Sequence, residues 1–177
     1  MSGIRWSVAV ALLASGVAAP LSGQTKLNDL EMAHVAVTAS NIDIAYAHLA
    51  LAFSTNEAIR NFAETMVRDH SAVNGQVVAL AKKLGVTARD NPMSRQLVAD
   101  ATATKDRLAT LRGAAFDRAY VENELAYHRA VNAAVADQFI PAIQNAEVKA
   151  AFQAALGIFR QHERHAGELA KSLGGSD

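Results

Sequence analysis

The chain has 177 residues, no cysteine, and 17 basic and 17 acidic side chains. This length suggests one domain, and the even charge balance argues against the basic surface that binds nucleic-acid phosphates, so we expect no nucleic-acid partner. The lack of cysteine excludes disulfides, thiolate metal ligands and a catalytic thiol within the chain. About half of the residues are hydrophobic, alanine is abundant and only three prolines occur, which favours helices packed around one core.

The first 23 residues have the pattern of a secretory signal peptide. Arg5 supplies a positive charge, residues 6–19 form an apolar run, and Pro20 and Gly23 end that run. The run is short for a membrane span, which needs roughly 20 residues. We predict cleavage after Gly23 and export to the periplasm or cell envelope. An uncleaved anchor or a buried first helix is the alternative.

Residues 24–177 form the predicted mature chain, a single helical-bundle domain. Removing Arg5 with the leader leaves 16 basic and 17 acidic side chains, a net charge near −1. We expect no transmembrane segment in this mature chain, because no later stretch is apolar over a sufficient length.

The first half of the mature chain predicts two long helices, at residues 27–53 and 55–84. Ser54 and Glu57 have the spacing of a capping box between them, and Gly85 is the residue type that commonly ends a helix. The first helix has a face of small residues at three- and four-residue steps, which are Ala36, Ala39, Asp43, Ala47, Ala50 and Ser54.

The second half predicts a short helix over residues 94–111 and long helices over residues 114–140 and 146–173. Pro141 stops or kinks the first of these long helices. Four long helices with short connections favour an up-and-down four-helix bundle. The short helix either packs across the bundle or pairs with the end of the second helix.

Five polar side chains on inward helix faces are the candidate metal ligands. Buried charge is costly unless it is paired or bound to a metal, and helical bundles hold metals with carboxylates and imidazoles. No Glu-x-x-His pair occurs on the second, third or fourth long helix, so a complete di-iron site is not predicted. A hydrogen-bonded network that fixes the helix register is the alternative to a divalent-metal site. The five residues are Asp43, His70, Glu124, His128 and His162.

Other polar residues receive weaker interpretations. His34, His48 and His165 are predicted to lie on the surface. Glu163 projects toward the centre, where it is either a ligand or a partner for Arg160.

Several short segments, spread over nearly the whole mature chain, carry a family resemblance. They are Ile42-Asp43, His48-Leu49-Ala50, Phe62-Ala63, Met66-Val67-Arg68-Asp69-His70, Gly113, Phe116-Asp117-Arg118-Ala119-Tyr120, His128, His162 and Glu168-Leu169-Ala170. With these segments the chain resembles the domain of unknown function 4142 family. The resemblance implies an exported, ferritin-like helical bundle, often labelled an outer-membrane protein, with no established catalytic activity. The family usually has Glu at the position of Asp43, whose shorter side chain needs a closer backbone approach.

Three functions are compatible with these features. The favoured one is a non-enzymatic or metal-binding envelope bundle that takes part in stress tolerance. The second is an interaction module that binds another envelope protein or a further copy of itself. The third is a ferritin-like metal-dependent oxidase that uses the five candidate ligands.

The export prediction is tested by mass spectrometry of the protein recovered from its native cell envelope. We expect a mature N-terminus near Gln24, because cleavage after Ala19 would place Pro20 next to the cut, which favours the bond after Gly23. A full-length mass that retains Met1 would contradict the prediction.

Overall fold

The computed structural model describes residues 26–174, and this part of the chain is helical with no strand. The predicted all-α bundle with an additional shorter helix is confirmed, whereas the predicted signal peptide lies outside the described residues. A π-helical turn, Val135–Phe139, joins the fourth helix to the fifth. The α-helices are α1 Asp29–Phe53, α2 Glu57–Leu84, α3 Pro92–Ala109, α4 Gly113–Ala134, α5 Ile140–Ala142 and α6 Ala146–Gly174.

Asparagine side chains, rather than the predicted Ser54, begin the first two helices. Asn28 and Glu31 form a capping box at the start of α1. At the start of α2, Asn56 Oδ1 accepts hydrogen bonds from the backbone N–H groups of Ala58 and Ile59, at 3.0 and 3.4 Å. The predicted capping box of Ser54 with Glu57 is therefore wrong, because Ser54 is the residue that ends α1.

The long helices form two antiparallel hairpins, α1 with α2 and α4 with α6. Around the bundle the order is α1, α2, α6, α4. Lys83 at the end of α2 pairs with Glu147 at the start of α6, so these neighbours also run antiparallel. Phe53 at the end of α1 contacts Phe116 at the start of α4, with ring centroids 5.6 Å apart. Consequently α2 and α4 run in the same direction, and the connection between them crosses the length of the bundle.

Helix α3 makes this crossover by running beside α1. Its start lies near the first turns of α1, where His34 Nδ1 is 2.8 Å from Ser94 Oγ, and its end leads to α4 beside Phe53. Neither predicted placement of the short helix, across the bundle or on the end of α2, describes this packing on α1. The connection between the two hairpins is thus one long crossover instead of a short turn.

The chain remains helical from α4 through the π-helical turn into α5, in spite of Pro141. Proline has no N–H and its ring crowds the carbonyl four residues earlier. The π-helical turn just before Pro141 is wider than an α-helical turn and so accommodates the proline ring and its missing N–H. In this turn the Ile140 N–H donates to the carbonyl of Val135. The predicted long helix therefore changes its hydrogen-bond pattern near its end.

A polar layer separates two hydrophobic clusters inside the bundle. The larger cluster includes Tyr46 of α1 and Ala166 of α6, and the smaller includes Val35 of α1 and Leu156 of α6. Along α1, Asp43 lies between Val35 of the smaller cluster and Tyr46 of the larger one. The layers on either side hold the four long helices in register around Asp43.

Helix α1 is apolar as well as long. Within residues 26–174 it alone has the length and composition of a membrane span, with a mean hydropathy of 1.3. We expected no stretch of the mature chain to be long and apolar enough to span a membrane. By length and mean hydropathy, α1 does not meet that expectation. A core helix that packs on several neighbours meets the same criterion, and α1 packs on α2, α3 and α4.

One glycine inside α2 and one at its end test the helix assignment, because their substitution should change stability in opposite directions. Gly85 ends α2 with φ of +66°, whereas Gly75 is exposed inside the helix, and a Cβ added at either glycine would have no atom within 4 Å. Gly85→Ala should lower the free energy of unfolding by about 1–2 kcal/mol, because a Cβ is disfavoured in the left-handed region. Gly75→Ala should raise it by about 0.5–1 kcal/mol. Urea unfolding measures both, and equal effects of the two substitutions would contradict the assigned end of α2.

Candidate metal centre

Each of the four long helices contributes to the polar layer. Helix α1 supplies Asp43, α2 supplies His70, α4 supplies Glu124 and His128, and α6 supplies His162. All five side chains are buried, with Asp43 and Glu124 fully inaccessible to solvent. The structure therefore brings together every candidate ligand that the sequence indicated.

The donor atoms lie within the reach of a small ion. His70 Nε2 is 3.4 Å from Asp43 Oδ2, and His128 Nε2 is 3.3 Å from the same oxygen. His128 Nδ1 is 3.7 Å from Glu124 Oε2. One donor atom from each of His70, His128 and His162 forms a group within 4.8 Å, and Asp43, Glu124 and His128 form a second such group. His128 belongs to both groups and lies at the centre of the cluster.

Each imidazole uses one ring nitrogen for a partner other than the candidate donor atoms. The Nδ1–H of His128 donates to the carbonyl oxygen of Glu124 at 3.0 Å, one helical turn earlier. His70 Nδ1 lies 3.3 Å from Ser40 Oγ. The Nε2–H of His162 donates to Asp69 Oδ2 at 2.9 Å. A carbonyl or carboxylate acceptor fixes the tautomer, which leaves the other ring nitrogen with a lone pair.

Within residues 26–174 the remaining ring nitrogens and both carboxyl groups have no hydrogen-bond partner. They are buried, and leaving such a group unsatisfied costs about 1–3 kcal/mol. The distances of 3.3 and 3.4 Å from Asp43 to the two imidazoles exceed the usual length of hydrogen bonds to carboxylates. The register-fixing network is therefore poorly satisfied in this geometry. The atoms are Asp43 Oδ1 and Oδ2, Glu124 Oε1 and Oε2, His70 Nε2, His128 Nε2 and His162 Nδ1.

Burial keeps the cluster uncharged in the absence of a cation. It raises the pKa of Asp43 to about 8, and together with the charge of Asp43 it raises the pKa of Glu124 well above its ordinary value. Burial, assisted by the neighbouring imidazoles, lowers the pKa of His70 to about 2 and that of His128 to about 4. Asp43 then holds its proton at neutral pH, the raised pKa of Glu124 favours its protonated form, and these imidazoles are neutral.

His162 and Asp69 connect the cluster to the surface. Burial lowers the pKa of His162, and the hydrogen bond to Asp69 opposes that effect. Partial burial of Asp69 works against ionisation, but hydrogen bonds from Arg68 and His162 lower its pKa below the ordinary value. An ionised Asp69 accepting from His162 is the carboxylate–histidine arrangement that orients metal-binding imidazoles.

Three residues at the site received no role from the sequence. Asp69 follows Arg68 in a motif of the family resemblance, but as the direct neighbour of His70 it points about 100° away around the helix. Ser40 lies in the small-residue region of α1. Phe159 stacks on His70, with ring centroids 4.6 Å apart and planes 9° from parallel. Only the packing of α2 on α6 shows that Asp69 and Phe159 both contact the site histidines.

The other polar residues lie away from the donor cluster. His48 and His165 are exposed, as predicted, whereas His34 is half-buried beside Ser94 and not a surface residue. Glu163 accepts a hydrogen bond of 2.8 Å from Asn132. Its ion-pair partner is Arg129 of α4, at 3.7 Å, rather than the predicted Arg160.

The fold and the site define an all-α bundle with a buried imidazole–carboxylate cluster supplied by four helices. The chain belongs to the family described as domain of unknown function DUF4142, whose model matches residues 14–169. The match covers more than half of the chain and confirms the resemblance. No curated protein and no solved structure matches the chain.

The raised pKa of Asp43 predicts a pH dependence of stability for the metal-free protein. A carboxyl group whose pKa rises from 3.8 to about 8 on folding stabilises the fold below pH 3.8 and loses that contribution as the pH rises to 8. Between pH 6.5 and 8 the free energy of unfolding should therefore fall, by up to about 1.4 kcal/mol per pH unit for each such group. Asp43→Asn should flatten this slope and raise stability at pH 8.

Chemical unfolding in the presence of a chelator measures the effect. Asp106→Asn is the matched control, since Asp106 is exposed on α3. A steeper slope in Asp43→Asn, or equal slopes in all three proteins, would show that Asp43 is not a buried neutral carboxyl group.

Proposed function

We propose that the protein binds one divalent transition-metal ion inside the bundle, through Asp43, His70, Glu124, His128 and His162. The observation that carries the proposal is the convergence of buried donor atoms from four helices, for which the described part of the chain provides no hydrogen-bond partner. The hydrogen-bonded tautomers leave imidazole lone pairs for a ligand, as metal-binding histidines require.

Distances support a metal more strongly than a network. Ligands about 2.0–2.1 Å from a metal lie about 3.3–3.4 Å from one another in tetrahedral sites and about 2.8–3.0 Å apart, when adjacent, in octahedral sites. The two imidazole nitrogens nearest to Asp43 Oδ2 lie at 3.3 and 3.4 Å. These separations suit two ligands of one ion and are long for a direct hydrogen bond.

Charge also supports a single divalent ion. Asp43 and Glu124 can each lose a proton to the solvent when the cation binds, and two carboxylates balance a charge of +2. The interior then gains no net charge, so the cost of burying ions is offset inside the cluster. Two carboxyl groups are fewer than the four that di-iron bundles use, so the cluster favours a mononuclear site.

The chemistry of the donor atoms limits which metal ions suit the site. Imidazole ligands suit zinc, iron, copper and nickel, carboxylates add manganese, and no thiolate is present. We therefore propose a first-row ion such as zinc, manganese or iron(II). A non-enzymatic role in metal handling or stress tolerance needs only this binding, whereas an oxidase would need a substrate as well.

We also propose that the protein is exported and ferritin-like. The charged start and the short apolar run of the sequence support export, and the single crossover between two hairpins is the connection that ferritin-like folds use. An interaction module or homo-oligomer has less support. In the described part of the chain the exposed large hydrophobic side chains are Val78, Val86 and Val98.

Metal binding should raise the melting temperature, since an ion that binds only the folded state stabilises it by mass action. At a free metal concentration 100 times the dissociation constant, the stabilisation is about 2.7 kcal/mol. We expect an increase for the wild type with zinc, manganese or iron(II) and none for His128→Ala. The increase should shrink as the pH falls, because protons compete for the carboxylates and imidazoles. Scanning calorimetry of protein without a histidine tag measures the shift.

His48→Ala is the matched control, because His48 is an exposed histidine on α1. It should retain the full metal-induced increase. A wild-type midpoint that responds to none of the three metals would overturn the proposal in favour of the structural network.

Asp69 should tune the affinity without binding the metal. Asp69→Asn keeps the size of the side chain but removes the charge that accepts from His162 Nε2, so the affinity should fall by about 10–100-fold. Isothermal titration with zinc measures it. Glu64→Gln, on an exposed position of α2, is the control and should bind like the wild type. An unchanged affinity in Asp69→Asn would show that His162 is not a ligand.

A further inference from the structure

Charged side chains in direct contact link one side of the donor cluster to the protein surface. Asp69 of α2 accepts a hydrogen bond from His162 Nε2 through Oδ2, at 2.9 Å, and one from Arg68 Nε through Oδ1, at 2.8 Å. The side chain of His162 is 4% exposed, that of Asp69 is 22% exposed and that of Arg68 is 71% exposed. Solvent exposure therefore increases step by step from the cluster to the surface.

His162 is the residue that connects Asp69 to the other imidazoles. Its ring centroid lies 5.3 Å from that of His70 and 5.4 Å from that of His128. Its Nδ1 is buried and has no hydrogen-bond partner within residues 26–174. One ring nitrogen from each of the three histidines lies within 4.8 Å of the others. A cation held by Asp69 would therefore be one imidazole away from the cluster.

The carboxylate of Asp69 is suited to be the first contact of an incoming cation. Partial burial opposes its ionisation, but hydrogen bonds from Arg68 and His162 lower its pKa, so it is negatively charged at neutral pH. Asp43 and Glu124, by contrast, have no surface that solvent can reach. An ion that leaves water needs such a charged ligand to replace its lost hydration.

A small cavity beside Asp43 offers the alternative route to the cluster. Its volume is about 40 Å³ and its walls are mostly apolar. Ser40 and Asn74 add neutral polar atoms, and among the described lining residues the carboxyl group is that of the buried Asp43. A divalent ion would cross this lining without an accessible negative charge to offset its lost hydration. The route past Asp69 is therefore favoured.

The guanidinium of Arg68 occupies the carboxylate that the ion would contact. Exposed ion pairs contribute little to stability, because solvent screening and side-chain entropy offset their attraction. Arg68 is mostly exposed, so it can turn into solvent without disturbing the core. An ion of charge +2 can therefore displace it from Asp69.

We propose that divalent metal ions enter the bundle between α2 and α6 through the carboxylate of Asp69, and that Arg68 restricts this entrance. The inference rests on the proposed metal site and adds the route by which that site is loaded and emptied. Asp69 contacts the ion only during its passage. The passage involves no covalent or redox step.

Stopped-flow absorbance of cobalt(II) binding to the metal-free protein tests the role of Arg68. Cobalt(II) is a divalent first-row ion that binds nitrogen and oxygen ligands, and its visible absorption changes when such ligands replace water. Arg68→Gln removes the competing cation, so the association rate constant should rise by up to about fivefold, the factor that corresponds to 1 kcal/mol for an exposed pair. The dissociation rate constant should also rise, and the affinity should change less than either rate.

Arg107→Gln is the matched control, because Arg107 carries the same charge on an exposed position of α3. It should leave both rate constants unchanged. Equal rates in Arg68→Gln and Arg107→Gln would overturn the proposal that Arg68 restricts entry.

Asp69→Asn tests the entrance itself. Loss of this charge should lower the association rate constant by about tenfold, the lower end of what charged clefts contribute to association. Added salt should slow the wild type more than the variant, since it screens the exposed carboxylate. Asp106→Asn, on an exposed position of α3, is the control and should bind at the wild-type rate.

The split between the two rate constants separates entry from ligand orientation. If Asp69 only orients His162, its loss appears as faster dissociation with an unchanged association rate constant, and that result would overturn the entry route.

Equilibrium titration with cobalt(II) separates this inference from the proposed function. If the ion binds the wild type but neither Arg68→Gln nor Asp69→Asn changes the association rate constant, the entry route fails and the metal site stands. If no ion binds the wild type, the proposed function fails, and the entry route fails with it.

Discussion

The burial of two carboxyl groups in the middle of the bundle is the constraint on which the rest of the structure depends. Asp43 and Glu124 are fully enclosed, and none of their oxygens has a hydrogen-bond partner in the described part of the chain. Without a cation the raised pKa keeps Asp43 protonated at neutral pH. The proposed divalent ion would replace the two carboxyl protons without adding net charge. The pair is therefore costly in the metal-free fold, and the proposed ion would offset that cost, a trade between stability and function.

The packing of the four long helices places the imidazoles of His70 and His128 beside these carboxyl groups. Hydrophobic layers on both sides hold the helices in register, and the single crossover makes each long helix antiparallel to its two neighbours. Phe159 stacks on His70, the carbonyl of Glu124 holds His128, and Asp69 holds His162. The orientation of the rings thus comes from groups other than the candidate donor atoms, so weakening one of these contacts should affect the proposed metal affinity more than folding.

The sequence predicts the helices and the inward positions of the five candidate residues, because both depend on spacing along one helix. Periodicity places Asp43 on the small-residue face of α1 and His70 in the apolar stripe of α2, and the structure buries both. Spacing along one helix does not predict which residues of different helices come into contact. The role of Asp69 depends on its distance from His162 across the α2–α6 interface, and the position of α3 depends on packing against α1. At Ser54, two good capping residues lie close together in sequence, and spacing alone does not choose between them.

Anomalous diffraction from crystals grown with zinc tests the central claim most directly, because it locates the ion itself. The account predicts one peak per chain inside the bundle, about 2.0–2.2 Å from Nε2 of His70 and His128 and from an oxygen of Asp43. Peaks confined to exposed side chains such as His48, with none between the four long helices, would contradict it.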